Sequence, residues 1–219
     1  METGKIVGIG LLSVLVFSFW ASVLYGSYIN YQNEIAFEQI DYGVVDRLTI
    51  NKEGAFALYI ESADLNDSIY AIVEIKQLVF AMYSQELTQP NVTATGFVEG
   101  NNLTITITGD LECNSNGSEG VNAIICESKV IVKVNRKLPI QLEINDPVGA
   151  LKINADNQVI ESINLPGGIV GTLSLYFDNL NITKIDCGGS IVGDLNIRIK
   201  NSTLPDMLLK DIVGNLRLF

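Results

Sequence analysis

The sequence predicts a mainly β protein: an N-terminal transmembrane helix followed by a β-solenoid or stacked β-sheet ectodomain with ~22-residue repeats. Three observations predict it. Residues 6–28 carry no charge, period-two alternation begins near residue 47, and a short motif recurs four times toward the C-terminus. The predicted regions are a cytoplasmic tip and transmembrane helix (1–30), a stalk (31–46), a β-rich part of the ectodomain (47–145) and the solenoid repeats (146–219).

The apolar run from Ile6 to Tyr28 is long enough to cross about 30 Å of hydrocarbon as a tilted helix. Trp20 and Tyr25 lie toward its far end, where amphipathic rings favour the membrane interface. A cleaved signal peptide is one alternative, although its apolar core is usually shorter. A pilin-type signal after Gly4 and Lys5 is another. We predict an uncleaved anchor.

The charges that flank this run predict its orientation. Lys5 and the α-amino group stand on the short side, whereas Glu34, Glu38 and Asp41 precede the first base of the other flank. The positive-inside rule therefore places the N-terminus in the cytoplasm and the C-terminal domain outside the plasma membrane.

Two features after the run are typical of an extracellular domain. Cys113 and Cys126 flank a loop rich in Asn, Gly and Ser, and a disulfide between them would contribute about 3 kcal/mol in an oxidising compartment. Cys187 is left over, and its place in the repeat predicts a buried side chain. Six N-x-[ST] sequons predict N-glycosylation. They begin at Asn66, Asn91, Asn102, Asn116, Asn181 and Asn201.

The stalk reads as a possible continuation of the membrane helix, and the pattern then changes to strands. Alternation of apolar and polar residues predicts strands in five places. Residues 75–87 are the one later stretch that fits a soluble helix, and a strand fits it nearly as well. The five strands are at Leu48–Ile50, Phe56–Ile60, Asn102–Thr108, Val130–Val134 and Ile140–Ile144.

The strongest internal signal is a G-x-L-x-[IL] motif that occurs four times, with successive glycines 22, 22 and 21 positions apart. Ile163, Ile185 and Met207 keep the same register, as do Leu165, Cys187 and Leu209, and also Asn157, Asn179 and Asn201. Stacked β coils require such columns, because equivalent residues of successive coils lie above one another. A leucine-rich repeat has a similar period, but its consensus is absent. The predicted corner glycines are Gly149, Gly171, Gly193 and Gly214.

These residues carry a resemblance. Leu138–Ile144, followed by Val148–Ile153 and the later G-x-L-x-[IL] units, resembles the putative-adhesin family of bacterial and archaeal envelope domains. The resemblance is strongest over residues 130–219 and implies a β-solenoid-like fold, often attached to a membrane segment. It implies no catalytic residues. The apolar anchor, the sequons and the low charge also suggest an archaeal cell-surface protein.

Composition argues against most catalytic chemistry. The chain has no His, which removes His-based triads and His metal sites. Asp64–Ser68 resembles the start of a calcium loop but lacks its Gly and its Glu, so we interpret it as a turn. Asp178 and Asp186 are interpreted as solvated acids, and Thr104, Thr106 and Thr108 as a solvated strand face. We therefore predict no enzyme, no metal and no cofactor.

The net charge of −11 lies wholly after residue 30, with 24 acids against 13 bases. Nucleic acid and anionic lipid headgroups need a basic patch, so neither is an expected partner. The favoured function is a non-catalytic adhesion or surface-organising role, with envelope proteins or glycans as partners. The alternative is a subunit of a filament or surface lattice that self-associates through the edge of the last strand, Leu216–Phe219. A third class, an enzyme acting on surface glycans, would need several acids in one groove.

Overall fold

A computed structural model describes residues 27–38, 45–54, 56–81, 91–109, 123–137, 140–145, 148–157, 160–203 and 205–219. The chain divides into two compact units. In the smaller unit (residues 1–31, 77–89 and 113–127) the described residues are the ends of three strands. The larger unit (residues 32–76, 90–112 and 128–219) holds the other described residues.

All the regular elements in the described ranges are β-strands, sixteen in number, so the expected mainly β class is confirmed. None of the described residues belongs to a helix that could cross a membrane. The strands are β1 Ser27–Glu38, β2 Arg47–Glu53, β3 Ala57–Ala63, β4 Ile69–Ala81, β5 Thr93–Glu99, β6 Asn102–Thr108, β7 Ala123–Asn135, β8 Ile140–Asn145, β9 Val148–Asp156, β10 Ile160–Leu165, β11 Ile169–Asp178, β12 Lys184–Cys187, β13 Ile191–Lys200, β14 Asp206–Leu209, β15 Ile212–Val213 and β16 Leu216–Leu218.

The strands form two open sheets, which we call sheet A and sheet B. Sheet A has the order β1-β4-β7-β3-β9-β11-β13-β15, with β16 also beside β13. Sheet B has the order β14-β12-β10-β8-β2-β6-β5. From β8 onward the chain passes alternately between the sheets, and the neighbouring strands within each sheet are parallel. Strands β5 and β6 instead form an antiparallel hairpin.

The pairing from β9 to β13 joins residues that are 22 positions apart. Gly171 pairs with Gly149 on one side and with Gly193 on the other. Gly193 has φ = 136°, a conformation that side chains rarely adopt, and a Cβ there would overlap the carbonyl oxygen of Gly171. The recurring glycine is therefore required by both the backbone angle and the close approach of the next strand.

The core is built from the inward residues of both sheets. In β11 the inward side chains alternate strictly with outward ones, and Leu173, Leu175 and Phe177 are buried. In sheet B, Leu165 pairs with Cys187, which pairs with Leu209. Each such column presents apolar side chains at the same height, so neighbouring strands bury them together.

Strands β2 and β3 lie in the interior of their sheets. Strand β2 lies between β6 and β8, and β3 lies between β7 and β9. Asn51 of β2, for example, pairs with Thr106 on one side and with Asn145 on the other. Both neighbours of each strand therefore come from segments that follow much later in the chain.

The five strands expected from alternation are present as β2, β3, β6, β7 and β8. The helical interpretation of residues 75–87 is wrong as far as residue 81, because residues 69–81 form β4, in a stretch rich in Ile and Val. The expected helix is also wrong over residues 27–30, the end of the predicted membrane segment, and over the stalk up to Glu38. Residues 27–38 form β1, in which Tyr31, Ile35 and Phe37 alternate with exposed residues. The rest of the expected membrane helix lies outside the described residues.

Candidate functional site

The outward side of sheet A carries a polar surface with two aromatic rings, which we call the tyrosine face. Two rows of residues cross its strands at right angles, because paired residues on neighbouring strands point the same way. One row is Tyr59, Lys152, Ser174, Asn196 and Arg217, and the next is Glu61, Asn154, Tyr176 and Arg198.

The two tyrosines of this face are bridged by a lysine. The Lys152 Nζ lies 5.8 Å from the centre of the Tyr59 ring and 5.2 Å from that of the Tyr176 ring. The three side chains are half-buried, and cation–π attraction near a protein surface is worth about 0.5–1 kcal/mol per ring. It favours a position of the ammonium between the two rings.

A shallow depression of about 240 Å³ lies beside Tyr176. Asn154 and Arg198, the register partners of Tyr176 on the two neighbouring strands, contribute to its wall and are both exposed. Its lining is Asn154, Tyr176, Phe177, Asp178, Arg198 and Lys200. An aromatic ring with an amide and a guanidinium at either side is suited to a polar ligand that also has an apolar surface.

The acid at the rim of this depression is already engaged. Asp178 accepts hydrogen bonds from Lys200 Nζ and from Asn201 Nδ2, each at 2.9 Å. These two bonds, with a smaller effect from the charges of Lys200 and Arg198, hold the pKa of Asp178 below its ordinary value although partial burial opposes them. Asp178 is therefore ionised at neutral pH and positions its neighbours.

Three cations of the tyrosine face behave differently. Lys152, Arg198 and Arg217 form no ion pair with any carboxylate of a described residue. Most other described lysines and arginines do have an acidic partner, as Lys184 has in Asp186 at 2.6 Å. The only acid in the two rows is Glu61. The two rows of the tyrosine face thus carry three cations and one acid on a chain of net charge −11.

A column of asparagines closes the same end of the strands. Asn157, Asn179 and Asn201 are the described non-glycine residues with positive φ, at 49°, 55° and 51°. Asn tolerates this left-handed conformation better than most residues. The amide hydrogen of Asn179 is donated to the carbonyl of Lys200, and that of Asn157 to the carbonyl of Asp178. The regular spacing of these asparagines thus has a conformational cause.

The outward side of sheet B is a network of hydroxyls and amides. Asn145 donates to Asn51 at 2.8 Å, Asn51 donates to Thr106 at 3.3 Å, and the hydroxyls of Thr93 and Thr108 lie 3.0 Å apart. Thr104, Thr106 and Thr108 accordingly lie on one strand face, as the alternation requires, and their hydroxyls bond to neighbouring side chains.

The sequon asparagines differ in their surroundings. Asn66, Asn91, Asn181 and Asn201 are exposed. Asn102 is half-buried; it accepts from the Thr49 hydroxyl at 3.1 Å and donates to Thr104 at 3.3 Å. Asn116 lies outside the described residues. Glycosylation of any of the six stays a prediction.

The cysteines fall into two groups. Cys113 and the side chain of Cys126 lie outside the described residues, so the disulfide stays a prediction. Cys187 is free and only 1% exposed, and the prediction of a buried residue is confirmed. Burial, with a smaller contribution from the charge of Asp186, raises the pKa of its thiol to about 11. Cys187 is therefore a core residue.

The acids that the sequence singled out for a carboxylate pair or a calcium loop do not come together. Asp178 lies in sheet A and Asp186 in sheet B, and each is paired with its own lysine. In the turn that resembled a calcium loop, Asp64 pairs with Arg136 and Asp67 with Lys137. Within the described ranges, no three acidic or cysteine side chains come together as metal ligands would.

Sequence reasoning missed the tyrosine face, although the signal was present. Asn154, Tyr176 and Arg198 follow one another at the same interval as the glycines, so the repeat places them in one row. The pairing of Tyr59 with Lys152 gave no such signal, because β3 and β9 are not related by the spacing of the repeat.

Comparison with one solved structure supports the fold. A protein from Clostridium sporogenes named a putative cell adhesion protein matches with a TM-score of 0.51 at 15% identity, over 87% of this chain and 99% of its own. Putative adhesins from Bacteroides fragilis (10% identity, 88% of this chain and 97% of that one) and Parabacteroides distasonis (12%, 86% and 97%) match with TM-scores of 0.24 and 0.23. No family model and no curated protein matches the sequence. The described part of the chain therefore has an open, two-sheet β fold similar to that of the clostridial protein.

Proposed function

We propose that this chain is a non-catalytic protein of the cell surface, anchored in the plasma membrane by its N-terminal helix and N-glycosylated on its outer domain. Residues 146–219 form a β-solenoid in this proposal, and each coil of the repeat contributes one strand to sheet A and one to sheet B. The domain adheres to, or organises, material on the cell surface.

The observation that carries the proposal is the tyrosine face. Parallel strands hold its side chains in fixed rows, and the outward positions provide polar and aromatic groups. A rigid exposed array is suited to binding an extended surface. The similarity of fold to a protein named for cell adhesion agrees with this function.

The proposal is tested by displaying the full chain on cells that lack it. Protease added to intact cells should remove the outer domain and leave the anchor, and attachment to an envelope-coated surface should fall with it. Intact-mass analysis of the chain purified from its native membrane should show added glycan and a loss of two hydrogens from one disulfide. Protection from protease, unmodified sequons and free Cys113 and Cys126 would contradict the outside location.

A second candidate is a subunit of a filament, favoured by the apolar side chains at the far edge of both sheets. Leu208, Leu216, Leu218 and Phe219 are exposed there, and Phe97 is exposed on β5 at the opposite edge of sheet B. Adding the edge of one copy to the opposite edge of the next would cover both. Electron microscopy of concentrated full-length protein should then show fibres, whereas monodisperse particles count against this candidate.

A further inference from the structure

We propose that the tyrosine face binds an acidic polysaccharide, one whose pyranose units carry carboxylates. This inference rests on the proposed surface function, because the ligand must lie outside the cell. The juxtaposition that carries it is Tyr176 between Asn154 and Arg198 in one row, beside the bridge that Lys152 makes between Tyr176 and Tyr59.

Geometry favours a chain of sugars over a single small molecule. The rows run across the strands, and neighbouring strands are about 4.8 Å apart, which is close to the length of one pyranose unit in an extended polysaccharide. A chain lying along the two rows would therefore place successive units over β3, β9, β11 and β13. The apolar side of a pyranose ring can cover the Tyr176 ring, while its hydroxyls reach Asn154 and the guanidinium of Arg198.

Charge decides the class of sugar. Lys152, Arg198 and Arg217 lie on this face without an acidic partner among the described residues, and Glu61 is the only acid in the two rows. Cations without an ion pair attract anions to this face, although the whole chain has a net charge of −11. A guanidinium binds a carboxylate with two parallel hydrogen bonds, which a neutral sugar cannot offer.

The depression next to Tyr176 provides the place for one carboxylate. Asp178 at its rim forms an ion pair with Lys200 and accepts a hydrogen bond from the side-chain amide of Asn201. Arg198 acts on Asp178 through its charge but forms no ion pair with it, so its guanidinium can still bind a ligand. Asp178, paired with Lys200, does not repel an incoming carboxylate as strongly as a free acid would.

The test uses full-length protein in detergent micelles and two probes, a galacturonic-acid oligosaccharide and the galactose oligosaccharide of the same length. We expect the acidic probe to bind and the neutral one to bind at least about tenfold more weakly, since charge-assisted hydrogen bonds are about twice as strong as neutral ones. Binding of the acidic probe should weaken as salt increases. Equal binding of both probes, or binding of neither, overturns the proposal.

Matched variants locate the site. Arg198→Gln and Tyr176→Ala should each weaken binding of the acidic probe about tenfold, the change expected for one charge-assisted bond or one aromatic contact. Lys210→Gln and Phe97→Ala alter an exposed cation and an exposed aromatic ring away from this face and should leave binding unchanged. Thermal unfolding checks that all four variants fold. If the controls weaken binding as much as Arg198→Gln does, or if the face variants abolish self-association without changing oligosaccharide binding, the assignment is wrong.

Failure of this inference can be told from failure of the proposed function. Cells that display the Arg198→Gln chain should lose attachment to surfaces coated with acidic polysaccharide. Protease-sensitive display with unchanged attachment would reject only the polysaccharide site, whereas oligosaccharide binding by a chain that protease cannot reach would reject only the surface location.

Discussion

Asn179 Nδ2 donates a hydrogen bond of 2.6 Å to Asn157 Oδ1, so that two residues 22 positions apart bond side chain to side chain while each holds the same left-handed backbone angle. The bond links the turn after β11 to the turn after β9. Side-chain bonding between stacked turns and a shared conformational requirement therefore act at the same position.

The first prediction follows from this pair. Asn179→Ala should lower the free energy of unfolding by about 1–2 kcal/mol, because it removes the bond and places an alanine at φ = 55°. Asn179→Gly also removes the bond, but glycine adopts this φ without strain, so the free energy of unfolding should fall less than in Asn179→Ala. Urea denaturation of the three proteins measures the order, and an equal cost for both variants would show that the angle has no part.

The glycine column gives a second prediction. Gly193→Ala should destabilise the fold by more than about 3 kcal/mol, because a Cβ there meets the carbonyl oxygen of Gly171 at an unfavourable φ. Gly100→Ala is the control: its φ of 62° is also positive, but nothing lies within 4 Å of the added Cβ, so about 1 kcal/mol is expected. A similar cost at both sites would mean that the close approach of the strands is relaxed without penalty.

The carboxylate of Glu74 predicts a pH dependence. This carboxylate is buried and accepts a hydrogen bond from Lys133 Nζ. Lys76 Nζ lies 2.7 Å from its other oxygen. Burial alone would raise the pKa of Glu74, but the hydrogen bonds and charges of the two lysines outweigh it and lower the pKa below 4.5. The stabilisation is therefore complete above pH 4.5 and is lost as the pH falls through the lowered pKa.

Glu74→Gln should thus destabilise the protein by about 2 kcal/mol at pH 7. Its stability should approach that of the unchanged protein as the solution is acidified below the lowered pKa. Glu99→Gln, at an exposed position in the β5–β6 hairpin, serves as the control and should have little effect at any pH. A Glu74 effect that does not change with pH would refute the charge-based explanation.

The buried thiol gives a fourth prediction. Cys187 should react with iodoacetamide only when the fold opens, because its side chain is buried and its pKa is raised to about 11. Mass spectrometry of tryptic peptides should show slow labelling of Cys187 in buffer and complete labelling in urea. Cys187→Leu would match its register partners Leu165 and Leu209, but it adds volume to a packed core. We therefore expect the free energy of unfolding to fall by about 1–3 kcal/mol.

Glycan occupancy should follow the surroundings of the sequons. Asn66, Asn91 and Asn181 are exposed and are expected to be occupied more fully than Asn102, whose side chain bonds Thr49 and Thr104 within the sheet. Glycopeptide mass spectrometry of native protein measures the four occupancies. Full occupancy at Asn102 with an empty Asn181 would reverse the expected order.

The sequence predicted the local part of this fold well and the non-local part poorly. The spacing of Gly149, Gly171 and Gly193 indicates which residues become partners, because β11 pairs with the strands of sheet A that come just before and just after it in the chain. The insertion of β2 between β6 and β8 leaves no periodic trace, since its partners come from segments with unrelated spacing. The row through Tyr176 was accessible from the repeat, whereas the approach of Tyr59 to Lys152 depends on that non-local insertion.

The position of β2 and β3 between later segments also determines the order in which strands can pair during synthesis. These two strands leave the ribosome early but cannot complete their hydrogen-bonded ladders until β6 to β9 have followed. Both of their edges stay unsatisfied during that interval, which is when pairing with a neighbouring chain is most hazardous. Strand β13, by contrast, pairs with β11, whose residues precede their partners by only 22 positions. Assembly therefore depends on protecting the early strands during synthesis, and slow translation of residues 64–101 would lengthen the period of risk.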